Sequence, residues 1–301
     1  MKAITYTTFG GPEVLNLTDV EEPHAGPGQV RLKVVAAAVN PLDFKIRNGW
    51  MPPEMTPPFP VTPGLEAAGV VDEIGEGVTG VSVGDEVLGW TTGAYAEYAL
   101  ASEFAPKPAN LDWDTAAALP VAVETSVRVL DILKVEAGDT VLLHGAAGVV
   151  GAVAVQLAVA RGATVIGTAS PRNHDYLRSL GAIPVAYGDG LGDRVRAAAP
   201  NGVDAVFDAA GAGDLPVSIE LRGGTDRIVT IADPAAAGLG VTFSGGGGPF
   251  GARLAEYARL AADGKLAVRI AQSLPLADAG KAQELSATGH AEGKVVLRPS
   301  S

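Results

Sequence analysis

The sequence predicts an α/β protein in which a compact β unit is interrupted by a doubly wound parallel sheet. Three observations predict it. From Asp139 to about Leu266, short apolar strands alternate with helical stretches, the pattern of right-handed crossovers between parallel strands. The N-terminal third is strand and turn sequence, and the segment Arg269–Ser301 returns to strand, helix, strand. Near the middle, Thr140–Gly162 reads as strand, glycine turn and helix, the unit that binds a dinucleotide. The expected boundaries are 1–120 with 267–301 for the β unit and 121–266 for the nucleotide-binding unit.

In chain order, Met1–Phe9, Val14–Glu21 and Gln29–Asn40 are β-rich, separated by the turns Gly10-Gly-Pro12 and Pro23–Gly28. Pro41–Asn48 predicts a short helix stopped by Gly49. The proline-dense Met51–Pro60 predicts a loop over a cleft. Gly69–Gly75, Val78–Val83, Asp85–Trp90 and Ala94–Leu100 follow as closely spaced strands. Leu111–Leu133 switches to alanine-rich helix with Asp112 as N-cap, broken in two by Pro120. Strands are then expected at Thr140–His144, Thr164–Thr168, Val185–Tyr187, Val203–Gly211 and Arg227–Ala232, and helices at Val149–Arg161, Tyr176–Leu180, Arg194–Ala199 and Pro249–Ala262. The tail adds a strand, a helix from Asp278 to about Ala287 and the strand Lys294–Arg298.

Thr140–His144 is apolar without alternation, as a strand covered on both faces requires. In Gly145-Ala-Ala-Gly-Val-Val-Gly151, Gly148 and Gly151 take the second and third glycine places of the dinucleotide fingerprint and Ala146 stands at the first. The helix behind the turn aims unpaired N–H groups and its positive dipole end at phosphates, so Ala147, Gly148, Val149 and Val150 are candidate contacts, with Thr125 added to the set. The second strand ends Gly167-Thr-Ala-Ser-Pro-Arg-Asn173, with no acid for the ribose hydroxyls. Ser170 and Arg172 offer a hydroxyl and a guanidinium to a 2′-phosphate, and Asn173 assists, so NADPH is the expected cofactor. A plain helix cap with a solvent-facing Arg172 is compatible with the same residues. Ala210 and Ile231, where later strands end, are candidates for the nicotinamide end.

Composition bounds the partners. The chain has 301 residues, 47% hydrophobic and 19% charged, with net charge −12, which argues against nucleic acid or an anionic membrane surface as partner. There is no cysteine, so disulfides, thiol nucleophiles and thiolate metal ligands are excluded. No signal-like start or bilayer-length apolar run is present, and a soluble cytoplasmic protein is expected.

Four separated motifs now matter together: Ala36–Gly49, Pro63–Gly75 with Val83-Gly-Asp-Glu-Val87, the glycine turn, and Gly293-Lys-Val-Val-Leu297. Over essentially the whole chain they resemble the zinc-free quinone oxidoreductase branch of the medium-chain dehydrogenase/reductase superfamily. The resemblance implies a GroES-like β-barrel catalytic domain and a Rossmann-type nucleotide-binding domain, with the active site in the cleft between them. It also places Tyr187 near the adenosine phosphate. Dimers are common among such proteins, often through an edge strand, for which Val241-Thr-Phe243 is the candidate in a possible homodimer. The chain is shorter than is usual there, with losses expected near Trp90–Gly93 and Asp233–Gly248.

Zinc-dependent members place ligands where this chain has Asn40, Leu65 and Val121, none of which supplies a zinc bond. Glu66 alone is no site, and none of His24, His144, His174 and His290 pairs at ligand spacing; His144 is expected as a packed or hydrogen-bonded strand-end residue. Without a Lewis acid, the expected substrate is a quinone or an α,β-unsaturated carbonyl, and the protein supplies positioning and hydrogen bonds. Asn40 is the candidate donor to a substrate oxygen, with Asp43 and Lys45 on the same short helix either serving the cleft or forming an exposed or capping pair. Tyr95 and Tyr98 fall on opposite faces and are expected to pack. Gly245–Gly248 is a mobile cover or a linker. The alternatives to quinone reduction are an enone or enoyl reductase of the same fold and a non-catalytic NADPH-binding structural or sensor protein.

Overall fold

The computed structural model describes residues 1–299. Its strands, in chain order, are β1 (Lys2–Thr5), β2 (Asn16–Asp19), β3 (Val30–Ala38), β4 (Glu66–Ile74), β5 (Glu86–Thr92), β6 (Tyr98–Pro106), β7 (Thr140–His144), β8 (Thr164–Thr168), β9 (Ile183–Val185), β10 (Ala205–Asp208), β11 (Ile228–Thr230), β12 (Thr242–Phe243), β13 (Ile270–Pro275) and β14 (Lys294–Arg298). The α-helices are α1 (Pro41–Arg47), α2 (Trp113–Ile132), α3 (Val149–Ala160), α4 (His174–Ser179), α5 (Leu191–Ala198), α6 (Leu215–Arg222), α7 (Ala236–Leu239), α8 (Gly251–Ala262) and α9 (Ala279–Ala287). Two compact units result: Met1–Val121 with the chain from Pro249 onward, and Ala122–Gly248.

In the first unit the sheet runs β13-β14-β3-β4-β5-β6, and β3 also pairs with β6. That extra pairing closes β3 to β6 into a barrel. One long strand does both jobs: Val30–Lys33 pair with β6, while Ala37 and Ala38 pair with β14. Closure hides the edges that an open sheet would expose. The expected strand Val78–Val83 is turn and loop, and the strand expected from Ala94 begins at Tyr98, after an isolated bridge at Ala96. Helix α8, expected in the nucleotide-binding unit, belongs to this one. Phe250 at its start stacks on Tyr257 and meets Trp90 edge-on at 5.9 Å, and Glu103 accepts the Gly251 N–H at 2.8 Å, a carboxylate cap on the positive helix end.

Pro120 does not break α2. The helix is continuous from Trp113 to Ile132 with Pro120 inside it. Proline lacks an N–H and crowds the preceding turn, and here the Val121 N–H that follows donates to Glu66 at 2.8 Å. A side chain from another element takes up a backbone group at the weak point of the helix.

The second unit is a six-stranded, wholly parallel sheet in the order β12-β11-β10-β7-β8-β9. Its strands explain the unbroken apolar runs. Val141 and Leu143 of β7 pack into one core with Val165, Phe207 and Val229. Leu142 packs on the opposite face with Ile166, Val206 and Ile228. Successive strand residues point to opposite faces, so a sheet with helices on both sides requires apolar residues at every position. The chain reverses direction of travel across the sheet at β7, whose neighbours are β8 and β10. Ligands of such sheets bind outside the carboxyl ends of the strands at this switch point.

Candidate functional site

In the second unit the turn after β7 lies at that switch point. Gly145 adopts φ +71°, so the left-handed residue of the turn is Gly145, one place before Ala146. Ala146 is accommodated because its methyl faces Gly167 of β8, where any Cβ would come within 2.8 Å of it. Gly151 is required by packing: a methyl there would overlap the Gly145 carbonyl oxygen and lie 2.8 Å from the Ala146 Cα. Gly148 is the N-cap of α3, in extended conformation with no side-chain cap, and the first internal bond runs from the Ala152 N–H to its carbonyl. The N–H groups of Val149, Val150 and Gly151 therefore stay open at the positive end of a 12-residue helix, a cradle for an anionic phosphate group.

Of the other expected cofactor residues, Ser170 caps a short 3-10 turn, Pro171–Asn173, directly behind β8, and the Asn173 amide donates to the Ser170 hydroxyl at 3.4 Å. Arg172 is exposed within this turn, and Tyr187, 53% exposed, follows β9 in the neighbouring strand position. Thr125 lies on α2, mostly buried, next to Glu124. The Ala210 and Ile231 N–H groups are already committed, to Asp208 Oδ1 at 3.0 Å and to the Asp208 carbonyl at 3.0 Å. Their carbonyl oxygens are the groups left to accept from a carboxamide. Asp208 is the hub of these loops: its other oxygen accepts from Thr230 Oγ1 at 2.7 Å, and Thr230 in turn accepts the Ala232 and Asp233 N–H groups. His144 is fully buried with Nε2 2.8 Å from the Ser218 hydroxyl, and burial pushes its pKa down. Gly247 rests on the Glu124–Arg128 ion pair, and Arg128 also donates to Ser244.

In the first unit a buried polar cluster gathers around Asn40, the N-cap of α1. Its amide Nδ2 donates to Glu66 Oε1 at 2.9 Å, and its Oδ1 accepts from Lys294 Nζ at 2.6 Å. Lys294 also pairs with Glu66 at 2.6 Å, the two side chains being 5% and 0% exposed. The remaining Glu66 oxygen accepts the Val121 N–H. Asp43, on the first turn of α1, accepts the Asn40 N–H at 2.7 Å and the Tyr95 hydroxyl at 2.8 Å. Burial raises its pKa to about 6, opposed by those two donors and by Lys294. Burial beside Asp43 also drives the Tyr95 pKa well up.

The sequence-based set is thus partly regrouped. Asn40 and Asp43 meet, but Asp43 is a buried helix cap rather than an exposed partner of Lys45, and Lys45 makes no ion pair among the described residues. Tyr95 hydrogen-bonds Asp43, while Tyr98 packs under Arg31. Lys294 was missed. Its only sequence signal was the Gly293-Lys-Val-Val-Leu297 motif, and nothing local says that this lysine is buried against residues 228 and 254 positions away, Glu66 and Asn40. No three His, Cys, Asp or Glu side chains stand together as a metal-ligand group among the described residues, nor is any of their helices long and apolar enough to cross a membrane.

Comparison with known proteins places these two units. Residues 26–109 match the family "Alcohol dehydrogenase GroES-like domain" and residues 180–297 the family "Zinc-binding dehydrogenase". The chain is 37% identical over 246 residues to the 2-methylene-furan-3-one reductase of Solanum lycopersicum, an alignment covering 76% of this chain and 62% of that protein, so it spans less than two thirds of that relative. Among solved structures, the quinone oxidoreductase of Coxiella burnetii superposes with a TM-score of 0.88 at 34% identity, covering 100% of this chain and 99% of that one. The Escherichia coli quinone oxidoreductase complexed with NADPH superposes with a TM-score of 0.88 at 25% identity over 99% of this chain and 100% of that one. With a closed barrel carrying the Asn40 cluster, a parallel sheet carrying the glycine turn, and a solved quinone oxidoreductase at 34% identity matched along the whole length, the chain belongs to the quinone oxidoreductase branch of the medium-chain dehydrogenase/reductase superfamily.

Proposed function

We propose that this protein is an NADPH-dependent oxidoreductase that reduces quinones or related conjugated carbonyls without a metal ion. The observation that carries the reading is the Asn40 amide, held at both ends by Glu66 and Lys294, at a chain position that the family resemblance matches to a zinc ligand of metal-dependent members. Zinc does not fit there. An amide, Leu65 and the backbone of Val121 supply no thiolate or imidazole, the Glu66 carboxylate is already paired with a buried ammonium, and Asp43 accepts the Asn40 N–H and the Tyr95 hydroxyl.

NADPH would supply the hydride. The open N–H groups of Val149 and Val150 would hold its pyrophosphate, while Ser170 and Arg172 behind β8 would favour the 2′-phosphate, since no acid stands there to bind free hydroxyls. The carbonyls of Ala210 and Ile231 would orient the carboxamide. Hydride transfer to an electron-poor ring or alkene carbon leaves negative charge on the conjugated oxygen, and Asn40 Nδ2, with one hydrogen uncommitted, would donate to that oxygen until a proton arrives from water. The named activity of the tomato relative supports enones beside quinones as acceptors.

The test is a fluorescence titration with NADPH and NADH followed by steady-state assays on a quinone and an enone panel. Preferred NADPH binding with turnover of either class is expected. Binding without turnover of any acceptor would favour a non-catalytic nucleotide-binding role.

A further inference from the structure

We propose that Lys294 is the positioning residue of this site: a fixed cation, supplied by the fold, that orients and polarises the Asn40 amide. The inference rests on the reading above, in which Asn40 donates to the acceptor oxygen.

The geometry leaves the amide a single orientation. Glu66 can only accept a hydrogen bond and Lys294 can only donate one. The end of Asn40 facing Glu66 Oε1 must therefore be the NH2, and the end facing Lys294 must be the carbonyl. Without Lys294 the amide would keep only its bond to Glu66, and its plane could turn about that bond. With Lys294, the ammonium lies 2.6 Å from Oδ1 and draws electron density along the amide away from nitrogen. That makes the second Nδ2 hydrogen a stronger donor, and a low-dielectric setting enlarges the effect. The ion pair with Glu66 holds the ammonium on a 0%-exposed carboxylate that is itself fixed by the Val121 N–H. Glu66, Lys294 and Val121 come from β4, β14 and α2, so the position of the cation is set by tertiary structure.

The disagreement with the zinc-binding family description then has a physical content. This chain keeps a positive charge in the Asn40 cluster, an ammonium acting through Asn40 rather than a Lewis acid acting on the substrate directly.

The experiment compares wild type, Lys294→Met, Lys294→Arg, Asn40→Ala and the double variant Asn40→Ala/Lys294→Met, using NADPH with 1,4-naphthoquinone and an enone. Lys294→Met is expected to lower kcat about 10- to 100-fold, less than the roughly 100- to 1,000-fold cost of losing an oxyanion donor outright because the Asn40 amide itself remains, with the NADPH Kd unchanged. Lys294→Arg should recover part of the loss by keeping the charge. The double variant should be no slower than Asn40→Ala alone, because Lys294 acts through that side chain. Since Lys294→Met strands a buried carboxylate, Glu66→Gln/Lys294→Met supplies a neutral, foldable version, checked by thermal melting and expected to show the same kcat loss. Wild-type kcat in either variant, or kcat losses of Asn40→Ala and Lys294→Met that multiply, would overturn the inference alone. Wild-type protein that turns over no acceptor would overturn the functional reading, and this inference with it.

Discussion

Two glycines three residues apart in the turn after β7 should fail in different ways when each is replaced by alanine. At Gly151 a methyl would overlap the Gly145 carbonyl oxygen and come within 2.8 Å of the Ala146 Cα and 2.9 Å of the Gly145 carbonyl carbon. All three are backbone atoms, so α3 must move off the sheet, an overpacking cost of about 1–3 kcal/mol, or roughly 2–10 °C in melting temperature. At Gly148 the nearest atom is 3.3 Å away and the backbone, φ −70° and ψ 168°, is open to alanine. Its stability should stay within about 1 kcal/mol of wild type. The new methyl nevertheless stands at the mouth of the Val149 and Val150 N–H cradle. Loss of one charge-assisted hydrogen bond there is worth about 1.5–3 kcal/mol, or about 10- to 150-fold in the NADPH Kd. Melting curves and NADPH fluorescence titrations on both variants separate the effects. Gly148→Ala binding NADPH at the wild-type Kd, or Gly151→Ala melting with wild type, would refute the reasoning.

Other expectations follow from the same geometry. Ser170→Ala and Arg172→Ala should each weaken NADPH about tenfold or more while leaving NADH unchanged, one charge-assisted bond being at stake; equal loss for both nucleotides in a titration would count against the 2′-phosphate reading. The Asp43 carboxyl, with a native pKa of about 6 against an ordinary 3.8, binds its proton more tightly folded than unfolded. Its contribution to stability is therefore largest below pH 3.8 and is lost as pH rises through about 6. Between pH 5 and pH 7 that loss is roughly 1 kcal/mol, and urea unfolding of Asp43→Asn at the two pH values should show it missing. Arg227 donates to the Leu133 carbonyl at 2.9 Å and to Asp139 at 2.5 Å, holding the Asp139 carboxyl below its usual range. Arg227→Ala should cost about 1–3 kcal/mol in chemical denaturation, and an unchanged midpoint would contradict the contact.

The sequence by itself determined the parallel sheet and its phosphate turn. The central strands β7, β8, β10 and β11 are covered on both faces, so the requirement for apolar residues at successive positions is written locally in Thr140–His144 and Thr164–Thr168, and the tight turn is written as glycine. The same local logic failed at Pro120, because the group that stabilises the turn behind it is a Glu66 carboxylate from β4. It failed again at the basic residue of the site. Lys45 was adjacent in sequence to Asn40 and Asp43, while the lysine that reaches Asn40 is Lys294. Pairing of a buried charge depends on which strands the barrel brings together, and β14 meets β3 only through a contact made at the far end of the chain. Periodicity and turn chemistry are properties of neighbouring residues and are legible in order; electroneutrality of a buried cluster is a property of residues that only folding makes neighbours.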